Sequence, residues 1–134
     1  MSLPTRIVDP HHHFLAPSEA FHATLGGFGV PAYTAEQYKA DTGSLPIEKS
    51  VHVEALADDG AGEAAFVDAL ASSGACVVAG IVANCHLYKP DAAAVLDAIK
   101  AASPRVRGIR LILDYDGPFD GTCPTHVACK DHNT

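Results

Sequence analysis

The chain has 134 residues, enough for one compact domain with a core of its own. Hydrophobic residues make up 48% and charged residues 19%, a balance that excludes a disordered chain. Nine Lys+Arg against sixteen Asp+Glu give a formal net charge of -7 with no basic cluster, so neither a nucleic-acid backbone nor an anionic membrane surface is an expected partner.

In chain order, Met1 to Arg6 has no apolar segment of the kind that opens a secretory signal. Residues 5–9 read as a first strand, leading into Ile7-Val8-Asp9-Pro10-His11-His12-His13-Phe14. Strict strand alternation puts Asp9, His11 and His13 on one face and His12 on the other. Pro17, Gly26, Gly27 and Gly29 mark an irregular excursion over residues 15–30. Thr34 and Gln37 have the spacing of a capping box, predicting a short helix to about Asp41 that Gly43 ends. Residues 49–56 form the second predicted strand, with Val51, Val53 and Ala55 on one face and His52 and Glu54 on the other. Asp58 to Gly62 reads as a loop, and residues 63–73 as a helix with Ala65, Phe66, Ala69 and Leu70 on its apolar face. Gly74 suits the left-handed position past its end. Residues 76–83 are a continuous apolar run, as in a strand buried within a parallel sheet, and far shorter than the roughly 20 residues of a spanning helix. A helix over 91–102, with Asp91 as its cap and Val95, Leu96 and Ile99 buried, precedes a fourth strand over 106–113.

Strands alternating with helices imply a parallel α/β sheet with right-handed crossovers. The expected organisation is one domain over 1–134, with an irregular tail from about Asp114. The cysteines (Cys76, Cys85, Cys123 and Cys129) lack a disulfide-framework spacing and fit a reducing, cytoplasmic setting.

Ligands of parallel α/β sheets sit outside the carboxyl ends of the strands. There the four predicted strands bring His11 and His13, His52 and Glu54, Asn84 and His86, and Arg110. Paired imidazoles are suited to holding a divalent metal or to acid–base work. Glu54, in an apolar strand, requires a cationic partner if buried. Arg110, between Ile109 and Leu111, is either that partner or a fork for a substrate anion. Cys123, His126, Cys129 and His132 recur every three residues, a spacing unlike that of paired zinc-finger ligands.

The segments Ile7 to Phe14, Val51-His-Val-Glu-Ala55 and Val106-Arg-Gly-Ile-Arg-Leu-Ile-Leu113, in this order, resemble the amidohydrolase superfamily. The nearest branch is the amidohydrolase-related TIM-barrel group that includes sugar lactonases and pyrone-dicarboxylate lactonase. The resemblance implies hydrolysis of a lactone or related cyclic ester or amide, a small-molecule substrate. It implies His11 and His13 as first-strand ligands of a divalent metal such as zinc, dispensable in some lactonases. It implies Arg110 as a contact to a substrate anion, while the strand-end reading adds Glu54 and His52 as catalytic candidates and Asn84 and His86 as substrate contacts. Only about four strands of a (β/α)8 barrel of roughly 250 residues are present, so the likeness is to an N-terminal half. The other expectations are a catalytically incomplete fragment acting by self-association through an open sheet edge or through a partner, and a small metal-binding domain built on His11, His13 and the C-terminal Cys/His set.

Overall fold

The computed structural model describes residues 4–112. Strands β1 (Ile7–His12), β2 (Ile47–Val53), β3 (Val78–Asn84) and β4 (Val106–Arg110) form one sheet in sequential order. Every neighbouring pair is parallel. The expected α/β fold of parallel βα units is therefore present; a closed barrel is not formed by the described residues. The tail from Asp114, with its Cys/His set, lies outside them.

Between β1 and β2 the excursion contains a 3-10 turn (Ala20–His22) and helix α1 (Ala23–Gly27), followed by α2 (Ala35–Thr42). An antiparallel bridge between Leu15 and Tyr33 closes its neck. The capping box forms as the spacing predicts: Gln37 N donates to Thr34 Oγ1, and Thr34 N donates to Gln37 Oε1. Crossover helices α3 (Gly60–Ser72) and α4 (Ala92–Ala102) follow β2 and β3.

Helix α3 starts three residues before the predicted point. Asp59 caps it, accepting from Ala61 N and Gly62 N, so Gly60 and Gly62 are helical rather than loop. Gly60 is required by closeness: a Cβ there would lie 2.1 Å from the Asn84 carbonyl oxygen at the end of β3. The buried stripe is also offset from the predicted one, to Gly60, Glu63, Ala64 and Val67, while Ala65 and Ala69 face solvent. Ala65 and Ala69 could not report the difference, because alanine is as common on a solvated helix face as on a buried one.

The core gathers Phe14, Tyr38, Val67, Val78, Ile81, Ala83 and Ile99 between the helices and one face of the sheet. Val95 and Leu96 of α4 pack against its margin, as expected. The opposite sheet face carries no helix among the described residues: Val51 and Val82 stay half-buried, and Val8 is 59% exposed. No described helix is long and apolar enough to cross a membrane.

Candidate functional site

The end of β1 does not follow strict alternation. Asp9 pairs with Ser50 and His12 with His52, so three steps on β1 match two on β2, the signature of a bulge. The extra residue turns Asp9 and His12 to the same, helix-covered face. Tyr38 of α2 meets both: its hydroxyl donates to Asp9 Oδ2 at 2.7 Å, and its ring lies 4.5 Å from the His12 ring, centroid to centroid. His12 is buried and shares a 2.9 Å hydrogen bond with Ser50 Oγ through Nε2. Burial pushes its imidazole down to about 4. Asp9 is thus separated from His11 and His13, a correction to the expected three-residue face. Burial alone would raise the Asp9 carboxyl, but donation from His11 N and the Tyr38 hydroxyl holds it below the usual range.

His11 and His13 do come together, with Nε2 atoms 3.2 Å apart. His13 Nδ1 lies 2.8 Å from the Val53 carbonyl oxygen. A carbonyl only accepts, so Nδ1 carries the proton and Nε2 presents its lone pair toward His11.

One residue beyond Val53 stands Glu54, fully buried. Arg110 Nε donates to Glu54 Oε1 at 2.7 Å, and Nη2 donates to the Glu54 carbonyl oxygen at 2.5 Å. Asn84 Nδ2 and Ala57 N donate to Oε2 at 3.3 and 3.4 Å. The ends of β2, β3 and β4 are therefore tied by one carboxylate. The loop that lets Ala57 reach back passes through Leu56, whose φ of 51° is the one positive value on a non-glycine among the described residues. Glu54 has the cationic partner that its burial demands, and the Arg110 side chain remains 30% exposed.

His52 does not join this group. It is fully buried on the covered face, where Phe14 N donates to Nδ1 at 3.3 Å and Nε2 lies 3.1 Å from Glu63 Oε1. Its expected partnership with Glu54 is corrected: His52 points to α3, and both ring nitrogens are engaged. His22 matches it, with Ala16 N donating to Nδ1 and Nε2 2.9 Å from the same Glu63 oxygen. An amide can only donate, so each imidazole is the neutral Nε2–H tautomer, and Glu63 Oε1 accepts from both and from Ala55 N. Burial would raise the Glu63 carboxyl, yet these bonds hold it below its ordinary value. His22, Glu63 and Leu56 were not singled out in the sequence; only the burial cost of a charge on the apolar side of α3 could have flagged Glu63.

His86 borders a separate depression of about 220 Å³ with Asp58, Asp59, Lys89 and Asp91, while Asn84 lines it and also contacts Glu54. His86 Nδ1 lies 2.9 Å from the Tyr88 hydroxyl. Among the described residues no group of three or more His, Cys, Asp or Glu side chains is placed to hold a metal. Comparison with protein-family models, curated proteins and solved structures finds no match to this chain.

Proposed function

We propose that the carboxyl end of the sheet is a hydrolytic site of the amidohydrolase-related kind, opening a lactone or related cyclic ester or amide. The observation that carries the reading is the convergence at the end of β2: His13 is anchored on the Val53 carbonyl beside His11, and the next residue, Glu54, clamps Arg110. A divalent ion such as zinc on the two Nε2 atoms would supply the Lewis acidity that polarises a carbonyl and makes water nucleophilic near neutral pH. Without an ion, the unprotonated Nε2 of His13 takes the proton of the attacking water as the new C–O bond forms; with an ion bound, that lone pair would be a ligand and the ion itself would lower the pKa of the water. The ring C–O or C–N bond breaks, and the proton passes to the departing oxygen or nitrogen. Arg110 holds the substrate anion or carbonyl with the part of its guanidinium that remains exposed. Glu54 and Asn84 fix Arg110 and take no proton, because both Glu54 oxygens are already bonded. His52 supports the scaffold.

The test is a panel of sugar lactones and cyclic esters, followed by proton release with and without added zinc. Turnover lost in His13→Gln, and a raised KM in Arg110→Lys, are expected. No turnover of any member under either condition would overturn the proposal. A second reading, a catalytically incomplete chain acting through association, is favoured by the sheet itself, whose outer strands β1 and β4 each pair on one side only among the described residues.

A further inference from the structure

We propose that a hollow at the amino end of the sheet binds a small apolar molecule carrying one carboxylate, of the size of a monocyclic aromatic acid. The hollow lies between α2 and the α3–β3 connection, where β2 and β3 begin, and has a volume of about 240 Å³. Glu54, Asn84 and Arg110 stand at the opposite ends of the strands, so this is a second site, and it does not depend on the hydrolytic reading. Apolar cavities of about 150 Å³ hold benzene, so there is room here for a ring and its carboxylate.

The lining selects the chemistry. On α2, Ala35, Tyr38, Lys39 and Thr42 follow the spacing of one helical face. Across from them, Leu45 and Val77 are 46% and 43% exposed and line the hollow with Ile47 and Cys76, a wall that gains by being covered with apolar surface. The hydroxyls on the lining are already engaged: Tyr38 donates to Asp9, and Thr42 donates to the Tyr38 carbonyl oxygen. Burial raises the Cys76 thiol above its ordinary value, so the wall stays uncharged at neutral pH. Lys39, exposed at the rim, is the one charged residue of the lining, a cation in a chain whose formal net charge is -7. A polyol or a dianion would press polar groups against the apolar wall without partners. A single carboxylate on an apolar body meets the ammonium and leaves no polar group unmatched. Tyr38 also joins the hollow to β1, since its ring lies 4.5 Å from that of His12; an occupant rests against the residue that holds the bulge.

Sodium benzoate titrated into the full chain by isothermal calorimetry tests this, with benzyl alcohol and benzylamine as neutral and cationic matches of its size. One benzoate should bind per chain with a dissociation constant of about 1 mM. Benzyl alcohol should bind about threefold more weakly, the effect expected of an ion pair at a rim, and benzylamine more weakly still. Lys39→Gln, on an exposed side chain, should erase the preference for benzoate and leave the affinity for benzyl alcohol unchanged. Benzoate at about 10 mM should slow alkylation of Cys76 by N-ethylmaleimide about tenfold, read by peptide mass mapping. No saturable binding up to about 10 mM, or equal affinity for the three probes, would overturn the proposal. Binding that survives Lys39→Gln undiminished and leaves Cys76 alkylation unchanged would put the benzoate on another cation such as Arg110, and would overturn it as well.

Discussion

Replacing Glu63 by alanine removes a single accepting oxygen but strands three donors. Oε1 accepts from His22 Nε2 at 2.9 Å, from His52 Nε2 at 3.1 Å and from Ala55 N at 3.1 Å. Both histidines are fully buried, so solvent does not replace the lost acceptor without reorganisation. A buried donor left unsatisfied costs about 1–3 kcal/mol. Three of them, partly relieved by water admitted to the new void, give an expected loss of about 4 kcal/mol. That is a large share of the ~5–15 kcal/mol that holds a typical domain folded. The loss should appear in urea unfolding as a lower midpoint at unchanged slope. Glu63→Gln keeps an accepting oxygen and should lose only about half as much. A Glu63→Ala chain within about 1 kcal/mol of the parent would refute the claim that this carboxylate ties the excursion, β2 and α3 together.

Acid should weaken the fold before any carboxylate titrates normally. Because burial holds His12 at about 4 against an ordinary 6.5, the unfolded chain binds its proton first. Stability is then intact above pH 6.5, falls by about 3 kcal/mol as pH drops from 6.5 to 4, and gains no further loss from His12 below that. The depressed Glu63 carboxyl adds loss in the same direction below its usual 4.5. A flat stability curve over that window, or the same slope in His12→Gln, would remove the assignment. Arg110→Ala should leave Glu54 buried with its charge unpaired and cost about 3 kcal/mol, trimmed by the partial exposure of the arginine. Arg110→Ala combined with Glu54→Gln should recover part of that loss, and equal stability of the single and double variants would show the pair to be energetically idle.

Elements set by nearby residues were legible in the chain, and those set by register were not. Thr34 and Gln37 announce α2 because a capping box closes within three residues. The alternation of apolar runs gives four parallel strands for the same reason. The Glu54–Arg110 pair spans 56 positions, yet it could be anticipated because a buried carboxylate has few affordable partners. The start of α3 was hidden by Gly60 and Gly62, which read as loop until the Asn84 carbonyl shows why no larger residue fits. The setting of His52 was not legible because parity along β2 does not say what waits on a face, and Glu63 comes from another element. Nothing local marks Leu56 for a positive φ.

The bulge in β1 decides which histidine is scaffold and which is site, and deleting Pro10 tests it. Regular pairing needs two steps from Asp9 to His12 to match the two from Ser50 to His52, and the chain has three. Without Pro10 the count becomes regular. Asp9 and His12 should then stay on the covered face, and His11 and His13 on the open one. Proline contributes no N–H, so the deletion removes no donor from the ladder. The expected cost is therefore about 1 kcal/mol by urea unfolding, with the zinc binding proposed for His11 and His13 retained. If the count is wrong, the deletion swings His12 away from Ser50 and Tyr38 into solvent. The lost hydrogen bond and ring packing would then cost about 3 kcal/mol or more, and zinc binding would disappear with them.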